Sequence, residues 1–114
     1  MNDRSPLDWL NDARQYALEA REIVRDVDPD AFNKSRRDQL AVLFCLATVG
    51  EALNQIPKDI QALAPEIPWA AINGLRNRLV HGFFLIDNQI ILDIAQNDTE
   101  ILAASIDRLI EKIK

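Results

Sequence analysis

The sequence predicts an all-α fold, an antiparallel bundle of four main helices with short helical segments between them. Apolar residues recur at spacings of three and four along most of the 114 residues, which is the period of an amphipathic helix. Prolines and helix-capping residues fall between these stretches. The one short run with strand character, 83–86, has no evident pairing partner. We therefore expect a single domain over residues 1–114.

The first helix is expected to begin at Pro6, because Ser5 can act as its N-cap and proline is favoured at the first helical position. The sequence Asp28-Pro29-Asp30 is expected to end it. Between these points one apolar stripe runs along the helix: Leu10, Ala13, Ala17, Ala20, Val24 and Val27. The small alanines in this stripe would allow a neighbouring helix to approach closely.

A second helix is expected from about residue 35 to residue 56, where Pro57 ends it. Over residues 40–49 this helix is apolar on nearly all sides, which predicts that it is the buried central helix of the bundle. The single cysteine, Cys45, lies in this run and is interpreted as an inert core residue.

A third helix is expected to start near Pro68 or Trp69, with Trp69, Ile72, Leu75 and Leu79 on its apolar face. Gly82 is a natural left-handed C-cap, which would place His81 in the last turn.

Two aspartates are expected to start the remaining helical elements. Asp87 can cap a short segment over residues 90–94, and Asp98 can cap the last helix. The last helix carries four apolar residues at helical spacing: Leu102, Ile106, Leu109 and Ile113. It completes the four main helices of the predicted bundle.

Composition excludes several classes of function. The net charge of −5 argues against a general polyanion binder, since non-specific nucleic-acid affinity comes from many basic contacts. One cysteine and one histidine allow neither an internal disulfide nor a thiolate metal cluster. The N-terminus has no apolar signal core, and the run over 40–49 is far shorter than the ~20 residues that span a bilayer. We therefore expect a cytoplasmic protein with no membrane partner.

The only histidine, His81, closes the sequence Arg76-Asn77-Arg78-Leu79-Val80-His81. Histidine is the side chain best suited to proton transfer near neutral pH. Arg76 adds a permanent cation and Asn77 an amide, a combination that suits phosphodiester cleavage without a metal.

Helix geometry complicates this candidate site. Asn77 and His81 are neighbours on one face of an ideal helix, whereas Arg76 and His81 lie about 140° apart. A site that uses Arg76 and His81 together needs a deformed helix end or a second copy of the helix from a two-fold dimer. On spacing alone, structural roles are the better interpretation: an arginine covering apolar surface and a histidine bonding the last carbonyls of its helix.

Several short motifs favour a functional site over these structural roles. They are Gly50-Glu51-Ala52, Pro68-Trp69, the run from Gly74 to Phe83, and Ile86-Asp87. In this order they resemble the HepT-like toxins of the HEPN superfamily, and the resemblance extends from Leu7 to the C-terminus. It implies a HEPN-like helical fold and a homodimeric, metal-independent endoribonuclease that cleaves RNA. It also implies a partner, a nucleotidyltransferase-fold antitoxin called MNT.

The resemblance assigns roles to residues of this chain. The motif arginine and histidine of the family correspond to Arg76 and His81, which are the expected catalytic residues. Asn77 and Arg78 are expected to bind the substrate. Glu51 could orient Arg76 or could simply face solvent, and both interpretations stay open.

Phe83 departs from the family pattern. The family often has a tyrosine at this position, which the antitoxin adenylylates. Phenylalanine has no hydroxyl to accept a nucleotide, so we expect no modification site here.

Two hypotheses follow. In the first, the 2′-hydroxyl of RNA attacks the adjacent phosphate, His81 moves the proton and Arg76 stabilises the charge on the phosphate oxygens. No metal or other cofactor is expected. In the alternative, the chain is a non-catalytic helical partner subunit that binds a nucleotidyltransferase and holds a nucleotide phosphate with Arg76 and Arg78. Phe83 fits the alternative somewhat better.

Overall fold

The computed structural model of the chain describes residues 4–82 and 86–114. It contains seven α-helices within these ranges: α1 (Pro6–Ile23), α2 (Pro29–Lys34), α3 (Arg36–Leu53), α4 (Lys58–Gln61), α5 (Trp69–Gly82), α6 (Asn88–Asp93) and α7 (Thr99–Ile113). A π-helical turn, Ile94–Asp98, joins α6 to α7. These ranges contain no strand, and none of their helices is long and apolar enough to cross a membrane. The all-α prediction is confirmed.

The long helices α1 and α3 pack antiparallel in the core. Leu10 near the start of α1 shares one buried cluster with Leu53 at the end of α3. Val24, just after α1, shares the other buried cluster with Val42 near the start of α3. The four alanine and leucine residues of the predicted α1 stripe and Val24 are fully buried, so the small side chains do bring the two helices close together.

The last helix α7 packs on the other side of α1 and also runs antiparallel to it. Asp107 of α7 forms an ion pair with Arg14 of α1. At the opposite end, the Gln96 side-chain amide donates to the carbonyl of Val24 at 3.1 Å and to that of Val27 at 2.8 Å. These hydrogen bonds provide partners for carbonyl groups just after α1, which have no partner within the helix.

The predicted start of α1 is confirmed by a capping box. The Ser5 side chain accepts a hydrogen bond from the Asp8 backbone N–H, and the Asp8 carboxylate accepts one from the Ser5 N–H. The predicted break at 28–30 holds more structure than expected, because the Asp28 side chain accepts from the Ala31 N–H and starts the short helix α2.

Helix α3 has the predicted central position, since it packs against α1, α2, α5 and α6, but the prediction that it is buried is wrong for one flank. Leu40 is 48% exposed and Phe44 is 63% exposed, while Val42, Cys45 and Leu46 are buried. Because α1 and α5 cover only part of the α3 surface, one apolar flank of α3 faces solvent. Sequence periodicity could not show this flank, since apolar residues occupy both sides of the helix.

Two expected helix ends also differ. Gly82 belongs to α5, and no described glycine has a positive φ, so the predicted left-handed cap is wrong. Asp98 makes no side-chain cap, because the π-helical turn runs directly into α7. Asp87 does cap α6, through its Oδ1 and the Gln89 N–H. The predicted apolar run after Gly82 falls largely on residues 83–85, outside the described ranges.

The bundle is open along one side. α5 packs along α3, but within residues 4–82 and 86–114 it makes no comparable contact with α7. The space between them is a groove of about 680 Å³, which we call the α5–α7 groove. It is lined mainly by Leu46, Val49, Ile67, Ile72, Leu75, Arg78, Ile90, Ile94, Asp98, Ile101 and Leu102.

Candidate active site

Helix α5 is held against α3 by a close approach at Gly50. A Cβ atom placed on Gly50 would lie 2.5 Å from the Cβ and 2.7 Å from the Cγ of Arg76. Gly50 is helical and has no positive φ, so it is the lack of a side chain that α5 requires here. The glycine of the Gly50-Glu51-Ala52 motif thereby fixes the position of Arg76.

The guanidinium of Arg76 is held by two side chains. Its Nη1 lies 3.3 Å from Oε1 of Glu51 on α3, and its Nη2 donates to Oδ1 of Asn73, 3.3 Å away. The Arg76 side chain is 19% exposed and that of Glu51 is 52% exposed. Of the two interpretations of Glu51 left open by the sequence, the structure supports a contact with Arg76. Because the Glu51 carboxylate is half exposed, the pair stabilises the fold only slightly, and its main effect is to orient the guanidinium.

The Nε of Arg76 is buried and has no hydrogen-bond partner among the described residues. A buried donor without an acceptor costs about 1–3 kcal/mol. The arginine is therefore held in a position that its own hydrogen bonding does not fully explain.

His81 lies on a different side of α5. The helix is continuous from Trp69 to Gly82, so Arg76 and His81 stay about 140° apart around it and about 7.5 Å apart along its axis. Arg76 is directed at α3, whereas His81 is exposed. The deformed helix end that could have joined them does not occur, and α5 of a single chain does not bring the two together.

Arg78 lies on yet another side of α5, where it lines the α5–α7 groove. Arg76 and Arg78 are about 160° apart on the helix and point to opposite flanks. Asn77 is exposed, on the flank away from the groove. Arg78 therefore does not converge with Arg76 and Asn77.

The surface between Arg76 and His81 on α5 is occupied by Asn73, Asn77 and Val80. Val80 is 51% exposed. The uncovered flank of α3, with Leu40 and Phe44, lies on the same side of the α3–α5 pair. We call the surface formed by Leu40, Phe44, Glu51, Asn77 and Val80 the α3–α5 face. It is an exposed surface of three apolar and two polar residues directly beside the candidate catalytic residues.

Within the described part of the chain, no group of three His, Cys, Asp or Glu side chains comes together in a way that could hold a metal ion. Cys45 is buried in the core, and burial raises the pKa of its thiol to about 11. That agrees with its interpretation as an inert core residue.

The fold and this helix define a small helical domain with a polar arginine-to-histidine motif on one exposed helix. The family described as Ribonuclease HepT-like matches residues 13–109 of the chain. The chain therefore belongs to the HepT-like ribonuclease family, and the resemblance drawn from its motifs is confirmed.

Individual relatives agree with this family. The chain is 30% identical over 106 residues to the Probable ribonuclease HepT of Thermococcus cleftensis, covering 93% of this chain and 96% of that protein. It is 32% identical over 98 residues to a Methanocaldococcus jannaschii protein with an RNase name, covering 86% of this chain and 90% of the relative. A second protein of that organism, also with an RNase name, is 27% identical over 106 residues, or 93% of this chain and 91% of the relative. No solved structure matches the chain.

Sequence reasoning missed two features of the site. Asn73 lies three residues before Arg76, a spacing at which helical side chains meet, so this contact could have been found from the sequence. The α3–α5 face could not, because it depends on which flank of α3 the other helices leave uncovered.

Proposed function

We propose that the chain is a metal-independent endoribonuclease toxin that cleaves RNA as a homodimer and is restrained by an MNT-type nucleotidyltransferase antitoxin. Membership of the HepT-like ribonuclease family supports the ribonuclease activity. The observation that carries the dimeric site is the divergence of Arg76 and His81 on an unbroken helix. A site that needs both residues must take one of them from a second copy.

A two-fold axis midway between residues 76 and 81 supplies that geometry. When two α5 helices cross antiparallel at that level, Arg76 of one protomer is level with the partner subunit's His81. The facing surface is then the one that contains Asn77 and Val80, because it lies about 70° from each catalytic residue. The same contact covers Leu40 and Phe44, which gives an apolar interface of the kind that homodimers use.

In the proposed reaction, His81 takes the proton of the RNA 2′-hydroxyl as its oxygen attacks the adjacent phosphorus. The bond to the 5′-oxygen breaks, the leaving 5′-oxygen takes the proton that His81 removed, and a 2′,3′-cyclic phosphate remains. Arg76 stabilises the negative charge that builds on the non-bridging oxygens. Glu51 and Asn73 act as positioning residues, since they hold the guanidinium and do not reach the reacting atoms.

Neutralisation is proposed to occur by occlusion. Phe83, which lies outside the described residues, offers no hydroxyl for adenylylation. An antitoxin bound over the dimer cleft would block access of RNA to Arg76 and His81 without modifying the chain.

The alternative of a non-catalytic subunit finds less support. It relies on Arg76 and Arg78 gripping one phosphate, and these side chains lie on opposite flanks of α5. Asn77 remains a candidate substrate ligand beside Arg76, and Arg78 is a weaker one.

The proposal is tested by incubating purified protein with single-stranded RNA in excess EDTA and analysing the products. We expect cleavage to continue, with 2′,3′-cyclic phosphate ends, because the mechanism draws on no metal. His81→Ala and Arg76→Ala should each abolish cleavage, and His81→Ala should also remove any toxicity on expression. Cleavage that stops in EDTA and returns with Mg²⁺ would contradict the mechanism, and unchanged cleavage by His81→Ala would contradict the site.

A further inference from the structure

The four long helices form three packed pairs, and a closed bundle would have four. α1 packs with α3 and α7, and α3 packs with α5, but the α5–α7 groove takes the place of the fourth pair. We propose that this groove is the docking site for an amphipathic helix of a partner protein, which completes the open side of the bundle.

The shape of the groove fits a helix. Its two walls are themselves helices, and a helix with side chains is about 10 Å wide. The wall formed by α5 has 14 residues, so it can accompany a helix for about 21 Å. The groove volume of about 680 Å³ is that of a real cleft, with room for a row of apolar side chains.

The lining of the groove is aliphatic and partly exposed. Ile101 is 68% exposed and Ile90 is 47% exposed, and both stand at its rim. Apolar side chains exposed together in a groove are common in sites that bind proteins or other ligands. None of the described lining residues is aromatic, so the groove lacks the rings on which nucleic-acid bases stack.

Small residues on α5 allow close approach. Ala71 and Gly74 both line the groove, and a Cβ on Gly74 would meet nothing within 4 Å. The backbone of a docked helix can therefore come near α5 at this level. Gly74 is also a place where a larger side chain would fill the groove without disturbing the fold.

The charged residues at the rim indicate which charges the partner helix carries on each flank. Arg78 stands on the α5 side, while Asp98 and Glu66 stand elsewhere on the rim. A complementary helix carries an acidic residue toward Arg78 and basic residues toward Asp98 and Glu66. Two of these three rim charges are acidic, which also disfavours RNA as the occupant.

We assign the groove to a different protein and not to a second copy of this chain, and this assignment rests on the proposed function. The proposed dimer buries the α3–α5 face, and the groove lies on the opposite flank of α5, so it stays open in the dimer. A helix seated there touches Arg78 on the same helix that carries Arg76 and His81. Docking would thus restrain the helix that bears the catalytic residues.

The test uses a fluorescent synthetic peptide of about four helical turns. The peptide has leucines at helical spacing, glutamate on one flank and lysine on the other. A scrambled peptide of the same composition is its control. We expect fluorescence anisotropy to show binding of the patterned peptide to the wild-type protein, and binding that is weaker by ~10-fold or more, about 1.4 kcal/mol, to Gly74→Trp and Ile101→Glu.

Two control variants show whether a loss of peptide binding is specific to the groove. Gly74→Ala is the control for Gly74→Trp and adds only a methyl group in open space. Ala104→Glu is the control for Ile101→Glu and adds the same negative charge to an exposed position of α7 outside the groove lining. Both should bind the peptide like wild type. Binding no tighter than that of the scrambled peptide, or equal binding by Gly74→Trp and Ile101→Glu, would overturn the proposal.

Sedimentation of the protein alone tests whether a second copy of this chain occupies the groove instead of a partner protein. If Gly74→Trp or Ile101→Glu turns a dimer into a monomer, a second copy occupies the groove and the proposal fails. Peptide binding needs no catalysis, so a His81→Ala protein should still bind the peptide. A failure of the ribonuclease proposal is therefore distinguishable from a failure of this one.

Discussion

Replacement of Gly50 by alanine tests how tightly α3 and α5 are packed. The added methyl group would lie 2.5 Å from the Arg76 Cβ, whereas ordinary contacts are 3.4–4 Å. The atom it meets is a Cβ, which has no rotamer freedom, so the neighbouring backbone has to move by roughly 1 Å. Forced overpacking costs about 1–3 kcal/mol, and a clash with an immobile Cβ falls in the upper part of that range, about 2–3 kcal/mol. The better helix propensity of alanine returns up to about 1 kcal/mol.

We therefore expect Gly50→Ala to lower the free energy of unfolding by about 1–2 kcal/mol and the melting temperature by roughly 5–10 °C. Circular dichroism melts and urea titrations at one protein concentration measure both. A shift of about 1 Å in α5 also displaces Arg76, which can cost on the order of 100-fold in RNA cleavage.

Gly74→Ala is the matched control, since it makes the same substitution in a long helix of the bundle. Its new Cβ meets nothing within 4 Å, so only the propensity gain of about 0.5–1 kcal/mol remains and the protein should become more stable. The two substitutions should thus have opposite signs. A Gly50→Ala protein that melts at or above the wild-type temperature would refute the packing argument.

Four other predictions concern the site, the core and the mode of neutralisation. Mixing Arg76→Ala with His81→Ala protein under conditions of subunit exchange should restore about a quarter of the wild-type activity, because half of the dimers then hold one intact composite site; no recovery despite exchange would contradict a shared site. Cys45 should react slowly with a thiol reagent at pH 8 in the native protein and quickly after unfolding, since burial raises its pKa to about 11. Its raised folded pKa also means that stability falls as pH rises from the ordinary thiol pKa of 9.0 toward about 11, because the unfolded chain loses the proton first. Phe83→Tyr, but not wild type, should gain the mass of AMP when incubated with the proposed nucleotidyltransferase antitoxin and ATP; AMP mapped to residues 76–83 of the wild-type protein would contradict occlusion as the mode of neutralisation.

Local sequence rules determined where several helices begin. The Ser5 capping box and the Asp87 cap need only residues within one turn, so the sequence shows them directly. The helix ends that were predicted wrongly are also local features. Asp98 has a capping side chain, but the chain enters α7 through a π-helical turn that no short sequence motif predicts. Gly82 stays helical although glycine is common at helix ends.

The candidate site was determined in part by the sequence. The spacing of Arg76 and His81 fixes their divergence on any unbroken helix, and the motif order identifies the family. What the spacing could not show is that the helix remains unbroken through His81, nor that Glu51 is within 3.3 Å of Arg76. Both depend on contacts between residues far apart in the chain.

Only the tertiary structure decided which apolar surfaces stay uncovered. In α3 the sequence shows apolar residues on all sides, and the positions of α1 and α5 decide that Phe44 is exposed while Cys45 is buried. The α5–α7 groove likewise exists because two helices fail to meet. Helix propensity and capping act over one or two turns, but burial is a sum over contacts from the whole chain. For that reason the sequence determined most helix positions, the family and the spacing of the candidate catalytic residues, while the fold determined the α3–α5 face and the groove.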